Sequence, residues 1–198
     1  MAPLGLMLRG ERTMMDAMHL LKRDEAVLVV IDVQDKLHRV IADAHAAMRN
    51  VASIAKGARL LGLPVLVTEQ YPQGIGSTVA EVKEAAGGAP VIEKREFGGF
   101  SNDAFRKAIA PYANKTLILC GFETHVCVLQ TALQARGLGH RVFVVADAVG
   151  SRSEWNKQLA LERMREAGCT IVSTEMALFE LLATSAAPEF KEIQKLIK

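Results

Sequence analysis

A cysteine, an aspartate and a lysine stand at sequence positions from which they can share one site. Asp32 and Lys94 each end an apolar segment, and Cys127 lies six residues after the end of another, at Gly121. A thiolate is a nucleophile, a carboxylate can accept the thiol proton, and an ammonium stabilises the resulting negative charge. If the fold brings them together, they predict acyl transfer from an amide, an ester or a carbamoyl-type substrate.

Alternating strand and helix patterns predict the elements that position these residues. Apolar spacing typical of a helix runs over Asp43–Leu61, and Gly62 ends it. Further helices are predicted over Asn102–Ala110 and over His125–Arg136, and a possible capping box of Ser151 and Glu154 predicts another that runs to Ala167. Strands are predicted at Ala26–Asp32, Pro64–Gln70, Pro90–Lys94, Thr116–Gly121, Arg141–Asp147 and Cys169–Thr174. This alternation indicates a three-layer α/β/α domain with a six-stranded, parallel, doubly wound sheet.

The predicted sheet explains how distant residues meet. In open α/β sheets, ligands bind at the carboxyl ends of the strands, near the point where the strand order reverses. Asp32, Glu69 and Lys94 lie at the ends of the first three strands, and Cys127 lies where the helix after the fourth begins. In the common strand order the first and fourth strands are neighbours, which would place Asp32 beside Cys127. The start of that helix would stabilise a thiolate, and N–H groups of the GFETHVC turn would hold an oxyanion.

Composition excludes several other classes of protein. The 198 residues, 50% hydrophobic and 23% charged, fit one soluble globular domain, with no apolar run near the ~20 residues that span a membrane. A net charge of +2 without a basic stripe argues against a nucleic-acid partner. Neither a G-x-G-x-x-G after the first strand nor a Walker sequence occurs, which argues against a nucleotide cofactor. Three cysteines without a C-x-x-C motif predict a reducing, cytoplasmic location and no structural zinc.

The domain prediction divides the chain into an arm, residues 1–24, and one domain, residues 25–198. The first fifteen residues precede any periodic segment. Arg9 and Arg12 weakly favour an organelle-targeting signal, but Glu11 argues against one, and a secretory signal would need a longer apolar stretch. We expect a disordered arm without a function, part of which need not be native.

Several segments of the chain resemble the isochorismatase-like cysteine hydrolases. They are VLVVIDVQDKL, TEQYPQGIGST, VIEKREFGGF and above all GFETHVCVLQTALQARG, followed by TEMALFELL and FKEIQKLIK. The resemblance spans about Glu25 to Lys198, and its closest branch is the isochorismatase domain-containing hydrolases. It implies the Rossmann-like topology already predicted, a hydrolase activity and a homo-oligomer, a dimer or larger.

The resemblance implies a role for each residue of the matching motifs. Asp32 would be the general base, Lys94 the supporting cation and Cys127 the nucleophile. A cis peptide bond is implied between Phe122 and Glu123. The backbone N–H groups of Glu123 and Cys127 would then form the oxyanion hole.

Further residues are predicted to line the substrate pocket, each with a structural alternative left open. A polar loop without substrate contact explains Glu69, Gln70 and Tyr71 equally well, and His125 can contact either substrate or a neighbouring subunit. The complete substrate-binding prediction is Gln34, Glu69, Tyr71, Phe97, Phe100 and His125.

Two departures from the family narrow the predicted function. Enzymes of the family that hydrolyse isochorismate itself lack this cysteine, because breaking a vinyl ether needs no thiol nucleophile. Nicotinamidases bind a metal through an aspartate and two histidines, but the chain has VTEQYPQG at that place, with no histidine. We therefore predict no metal and no cofactor. We expect a small carbonyl substrate, with isochorismate argued against and nicotinamide less favoured.

Structural explanations compete with the catalytic one for each residue taken alone. A lone cysteine is most often a small buried hydrophobe, and this is our expectation for Cys120 and Cys169. Asp32 can instead cap the loop after the first strand, Lys94 can be an ordinary solvated lysine, and Asp147 is predicted to be a structural loop acid. A second hypothesis is therefore a catalytically silent binding or thiol-sensing module with the same fold.

Overall fold

The computed structural model describes residues 20–198, in which six parallel strands form one sheet. The strands are β1 (Ala26–Ile31), β2 (Val65–Gln70), β3 (Val91–Lys94), β4 (Thr116–Phe122), β5 (Val142–Gly150) and β6 (Thr170–Val172). Their spatial order is β3-β2-β1-β4-β5-β6, with all neighbours parallel, so the order reverses between β1 and β4. This confirms the doubly wound parallel sheet predicted from the sequence.

Helices connect the strands and cover both faces of the sheet. They are α1 (Asp35–His38), α2 (Ala44–Leu60), α3 (Pro72–Ile75), α4 (Ala80–Ala86), α5 (Asp103–Ile109), α6 (Leu129–Gly137), α7 (Glu154–Glu166), α8 (Thr174–Leu182) and α9 (Phe190–Leu196). Short 3₁₀ turns occur at Arg23–Glu25, Gly99–Ser101 and Ala110–Tyr112, and a π-helical turn occurs at Thr124–Val128. Within residues 20–198, no helix has the length and apolar character needed to cross a membrane.

Alternation along the strands divides the core into two apolar layers. Every residue of β1 and β4 is buried, as expected for central strands covered on both faces. Leu28 and Val30 belong to the layer that packs against α2, α4, α8 and α9, whereas Val27 and Val29 belong to the layer of α5, α6 and α7. Because successive side chains point to opposite faces, this alternation also decides which layer each residue at a strand end faces.

The structure differs from the predicted elements mainly at their ends. The helix predicted to begin at His125 is preceded by the π-helical turn, and α6 begins at Leu129. Strand β5 continues to Gly150, beyond the predicted end at Asp147, because its pairing with β4 shifts register and resumes at Val149. Helix α4 lies where no element was predicted, although its Ala-, Glu- and Lys-rich sequence favours a helix.

The packed part of the chain begins before β1. Leu21 is buried in the core, and its N–H donates a hydrogen bond to Glu180 Oε2 on α8 at 2.9 Å. The last residues of the predicted arm are therefore attached to the domain. The remainder of the predicted arm, residues 1–19, lies outside the described residues.

Candidate active site

The carboxyl edge of the sheet brings together the predicted thiol, carboxylate and ammonium. Asp32 follows β1, Lys94 ends β3, and Cys127 lies in the π-helical turn after β4. Lys94 Nζ is 2.6 Å from Asp32 Oδ2, and both side chains are completely buried. The buried Cys127 thiol lies near enough to both for their charges to act on its pKa.

An unusual backbone around β1 and β4 makes this meeting possible. Asp32 has a φ of 51°, in the left-handed region that aspartate tolerates better than most residues. Gly121 has a φ of 113°, and a Cβ at this position would lie 2.0 Å from the Ile31 carbonyl oxygen. Only glycine therefore lets β4 pass so close to the end of β1. The Phe122–Glu123 peptide bond is cis, as the resemblance implied.

The surroundings of Cys127 favour its neutral thiol. Burial, followed by the negative charge of Asp32, raises the pKa of Cys127 to about 12, although the Lys94 ammonium acts in the opposite direction. From the sequence, the helix start and Lys94 predict a thiolate. Burial and Asp32 oppose that form, and the Asp32 carboxylate is a nearby acceptor for the thiol proton.

Neighbouring side chains fix Asp32 and Lys94 in place. Thr68 Oγ1 donates to Asp32 Oδ1 at 2.6 Å, which leaves Oδ2 to the ammonium. Lys94 Nζ also donates to Gln70 Oε1 at 2.8 Å and to the Glu96 carbonyl at 3.3 Å. Both carboxylate oxygens and the ammonium thus have defined partners, as a buried ion pair requires.

The turn that carries Cys127 is held from several sides. The Glu123 carbonyl accepts hydrogen bonds from the N–H groups of Val126 and Val128, each at 3.1 Å, on either side of Cys127. The Glu123 carboxylate accepts from Arg152 Nε at 2.7 Å. The Cys127 carbonyl accepts from Thr131 Oγ1, one turn along the helix, at 2.7 Å. The proposed oxyanion donors, the N–H groups of Glu123 and Cys127, therefore belong to a fixed segment of backbone.

Tyr71 lies at the exposed rim of the site. Tyr71 is 39% exposed, and the Arg95 guanidinium carbon lies 3.7 Å from the centroid of its ring. A cavity of about 270 Å³ at the ends of β2 and β3 is lined in part by Tyr71, Arg95 and Lys94. A ligand in this cavity can therefore reach Tyr71. Phe97 is 53% exposed but does not line the cavity, and its substrate contact stays a prediction.

Phe100 belongs to the core rather than to the rim. Its ring packs edge-to-face against Phe105, with centroids 5.2 Å apart, and lies 5.5 Å from the His140 ring. Its backbone N–H donates to Gln134 Oε1 on α6 at 3.1 Å. The preceding N–H, of Gly99, donates to Thr131 Oγ1 at 2.9 Å, so the loop is tied to the helix that follows Cys127. Phe100 thus supports the site through packing, in place of the predicted substrate contact.

Gln34 and Glu69 also have structural partners instead of an open pocket. Gln34 is completely buried, and its side-chain amide bonds to the backbone N–H and carbonyl of Gln70. Glu69 Oε1 accepts from the N–H and the hydroxyl of Thr78 at 2.7 and 2.8 Å. Strand alternation places Glu69 on the face opposite Thr68, which contacts Asp32. Both side chains are thus held by structural partners, and their substrate contacts stay predictions.

Two further polar residues, His125 in the π-helical turn and Asp147 in β5, are tied to neighbouring segments. His125 Nδ1 lies 2.9 Å from Ser151 Oγ, which ties the half-buried ring to the segment after β5. Asp147 Oδ1 accepts from the N–H and the hydroxyl of Thr174 at 2.8 and 2.9 Å, at the start of α8. The structural role predicted for Asp147 is thus confirmed. Across residues 20–198, no group of three or more His, Cys, Asp or Glu side chains is arranged to hold a metal ion.

Thr68 is a site residue that the sequence did not identify, and Gln70 was predicted either to line a pocket or to belong to a polar loop. The available signal was the period of β2. If Leu66 faces the layer of Cys127, then Thr68 and Gln70 must face it too. Glu69 was predicted from its position near the strand end alone, without asking which face of the sheet its side chain lies on.

The sheet, the covering helices and the site at the switch point define the class of this protein, a three-layer α/β/α domain with a doubly wound parallel sheet. The chain belongs to the isochorismatase family, whose isochorismatase domain model matches residues 26–176. This confirms the family that the sequence motifs resemble.

Two curated relatives resemble nearly the whole chain. The secreted isochorismatase effector Isc1 of Phytophthora sojae is 40% identical over 177 residues, which cover 87% of this chain and 84% of the effector. The isochorismatase domain-containing protein 2A of Mus musculus is 38% identical over 176 residues, which cover 88% and 84% of the two chains. The second relative agrees with the branch predicted from the sequence.

Three solved structures share the fold. The MAR1 ribonuclease of Caenorhabditis elegans has a TM-score of 0.84 and 35% identity, covering 90% of this chain and 92% of its own. YcaC of Pseudomonas aeruginosa, solved with hexane-2,5-diol and covalent acrylamide, has a TM-score of 0.84 and 30% identity, covering 89% and 91%. YcaC of Escherichia coli, described as an octameric hydrolase of unknown specificity, has a TM-score of 0.82 and 26% identity, covering 90% and 94%.

Proposed function

We propose that this protein is a cysteine hydrolase that cleaves a small amide, ester or carbamoyl-type substrate through a covalent thioester on Cys127. The observation that carries the proposal is a buried carboxylate–ammonium pair at the strand ends beside a buried thiol, with both charges acting on the pKa of that thiol. A structural cysteine needs no such pair, and burying two charges is costly without a function or many partners. The pair also supplies what thiol chemistry requires. The carboxylate can accept the thiol proton, and the ammonium can stabilise the negative charge left on sulfur.

Formation of the acyl-enzyme requires a coupled proton transfer. With a pKa of about 12, Cys127 contains very little thiolate at neutral pH. Asp32 accepts the thiol proton as sulfur attacks the substrate carbonyl carbon, so that a free thiolate does not accumulate. Lys94 then faces the negative charge that moves from the carboxylate toward sulfur and the carbonyl oxygen. The N–H groups of Glu123 and Cys127 hold this oxyanion.

In the remaining steps, the Asp32 carboxyl group both gives and takes protons. Protonated Asp32 gives its proton to the leaving amine or alcohol as the tetrahedral intermediate collapses to a thioester. A water molecule then loses a proton to Asp32 and attacks the thioester carbonyl. The acid product leaves, and the proton held by Asp32 returns to the Cys127 sulfur. One carboxyl group therefore serves as base and acid in turn, while Lys94 maintains its orientation.

Two features of related proteins support a reactive nucleophile in this fold. The YcaC neighbour from Pseudomonas aeruginosa contains covalent acrylamide, an electrophile that bonds to nucleophiles. The neighbour from Escherichia coli is described as a hydrolase. For this chain we propose amides before esters, because a site that protonates its leaving group favours the poorer leaving group, an amine. We propose no nucleic-acid substrate, since the net charge is only +2.

One observation favours the alternative of a catalytically silent or thiol-sensing module. The raised pKa of Cys127 would also suit a thiol that is only buried, and burial raises the pKa of Cys169 to about 12 without any catalytic neighbour. The difference between the two thiols is the Asp32–Lys94 pair, whose charges act on the pKa of Cys127 and not on that of Cys169. The alternative therefore predicts no turnover that depends on Asp32.

Turnover of a panel of small acyl esters and primary amides separates these two functions. We expect hydrolysis of at least one compound, with a rate that falls about 100- to 10,000-fold in Asp32→Asn, which keeps the shape of the side chain but loses the base. Asp103→Asn, which removes an exposed carboxylate at the start of α5, is the matched control. The absence of turnover for the whole panel, or equal rates in both variants, would favour the silent module.

We also propose that the protein assembles with copies of itself. Leu20, Met176 and Phe179 are 70%, 50% and 37% exposed and line one apolar groove of about 810 Å³ beside α8. Single exposed apolar residues are ordinary, but a contiguous group favours a protein interface. The octameric neighbour supports this interpretation. Light scattering should show a smaller particle for Phe179→Glu than for Leu138→Glu, which changes an exposed leucine outside the groove.

A cytoplasmic location is proposed on the basis of the thiols. All three cysteines are free and buried. Free thiols persist most readily in a reducing compartment, whereas disulfides are typical of secreted proteins. The relative from Phytophthora sojae is a secreted effector, so the location needs a direct test, such as imaging of the tagged protein.

A further inference from the structure

We propose that Gln70 is a positioning residue of this site, which holds the Lys94 ammonium between Asp32 and Cys127 without adding a second negative charge. Gln70 ends β2 and is half-buried. Its Oε1 accepts a hydrogen bond from Lys94 Nζ at 2.8 Å. Lys94 is the cation that opposes Asp32 in setting the ionisation of Cys127, so its position matters for the thiol.

The orientation of the Gln70 amide is fixed from its other end. Its Nε2 donates to the Arg95 carbonyl at 2.7 Å, which requires Oε1 to face Lys94. A reversed amide would place an N–H donor against an ammonium, which carries donors and no acceptor. The side chain therefore presents an acceptor to Lys94 in a single orientation.

The backbone of Gln70 is held by Gln34, and this closes a ring of contacts. Gln34 Oε1 accepts from the Gln70 N–H at 2.7 Å, and Gln34 Nε2 donates to the Gln70 carbonyl at 3.0 Å. Gln34 follows Asp32 by two residues, and Asp32 pairs with Lys94. Lys94 in turn donates to the Gln70 side chain, which closes the ring. The ammonium is thus fixed relative to the carboxylate both directly and through a buried amide.

A neutral amide suits this position better than a carboxylate would. Asp32 already places one negative charge beside Cys127 and disfavours its thiolate, whereas Lys94 favours it. A glutamate at position 70 would keep the acceptor for Lys94 but would partly cancel the cation that stabilises the thiolate. A methionine of similar length would remove the acceptor and release the ammonium from its position.

The pH dependence of Cys127 alkylation by iodoacetamide, followed by mass spectrometry of the labelled peptide, tests the proposal without a substrate. At a pH below the pKa, the rate follows the thiolate fraction. We expect the rate at pH 8 to fall about tenfold in Gln70→Met and also in Gln70→Glu. The matched control is Gln158→Met, which changes an exposed glutamine bonded to Glu154 on α7 and should leave the rate unchanged.

Turnover provides the second readout, and this part of the test rests on the proposed function. We expect kcat to fall about tenfold in Gln70→Met with KM within about threefold, and a melting temperature close to that of the parent protein. Wild-type alkylation and kcat in a folded Gln70 variant would overturn the proposal. If Gln70→Met does not fold, Gln70→Glu decides, and an unchanged alkylation profile in that variant would overturn it.

The two failures can be told apart. If Gln70 has no positioning role, the Gln70 variants match the parent while Cys127→Ala remains inactive. If the proposed function fails, turnover persists in Cys127→Ala or is absent from the parent protein. Loss of kcat in strict proportion to loss of folded protein would indicate a structural role alone and would also overturn the proposal.

Discussion

The interior of β4 and the turn that follows it each contain a buried cysteine, and the two differ in what surrounds the thiol. Cys120 lies inside the strand, in the layer of α2, where its sulfur is 3.9 Å from the Val29 carbonyl and burial alone raises its pKa. Cys127 lies seven residues further, in the layer of α6, where Asp32 and Lys94 also act on it.

The comparison shows that burial by itself makes a thiol unreactive. At Cys120, ionisation would leave an unpaired charge among apolar side chains, which is costly. At Cys127, a carboxylate can receive the proton, and an ammonium can face the sulfur that loses it. The difference between a core cysteine and a nucleophile candidate is therefore the pair of charges, and the predictions below test that difference.

The largest expected effect is on turnover. Cys127→Ala should lower kcat/KM for any substrate of the panel by at least about 1,000-fold, because it removes the atom that forms the thioester. Cys120→Ala should stay within about threefold of the parent protein, because it changes only packing in the other layer. Steady-state kinetics on both variants, with circular dichroism to confirm folding, checks this contrast. Similar losses in both would mean that Cys127 acts only through structure.

A smaller effect is expected in the labelling of the intact protein. Cys127 should react with iodoacetamide at least about ten times faster than Cys120 or Cys169, since it alone has a base and a cation beside it. Peptide mapping over a time course gives the three rates. Lys94→Met, which removes the cation that favours the thiolate, should reduce the advantage of Cys127. Equal rates in the parent protein would contradict the assignment of an activated site.

The smallest expected effect is on stability in alkali. An unfolded thiol ionises near pH 8.5, whereas burial keeps Cys120 protonated in the fold. Above about pH 8.5 the unfolded chain therefore binds fewer protons than the folded one, and the free energy of unfolding falls by about 1.4 kcal/mol per pH unit for this thiol. Urea unfolding at pH 8 and pH 10 should show a smaller pH-dependent loss in Cys120→Ala. An unchanged loss would mean that Cys120 ionises normally in the fold.

The fold was largely predictable because continuous apolar strands, helical spacing and glycine stops give strong local signals. The neighbouring positions of β1 and β4 followed from the common doubly wound order, and this placed Asp32 near Cys127. The beginning of α6 was less predictable. The sequence from Thr124 is compatible with an α-helix, whereas contacts of Glu123 with Val126 and Val128 create the wider turn.

The side-chain environment of the site was only partly predictable. Positions near strand ends identified Asp32 and Lys94, but Glu69 was assigned by position alone and faces Thr78 in the opposite layer. Gln34 has a polar side chain next to the site, yet its partners are backbone groups at the end of β2 and in the loop that follows, which sequence cannot show. The pKa of Cys127 could not be read from sequence, because it depends on how far burial and Asp32 outweigh the nearby ammonium.

Capture of an acyl group on Cys127 tests the central claim most directly. The protein is mixed with an ester from the panel, quenched in acid during turnover, digested and mapped by mass spectrometry. The account predicts the mass of the acyl group on the peptide that contains Cys127, its loss in Cys127→Ala, and no acylation of Cys120. Turnover without any adduct on Cys127, or with acylation of another residue that persists in Cys127→Ala, would contradict it.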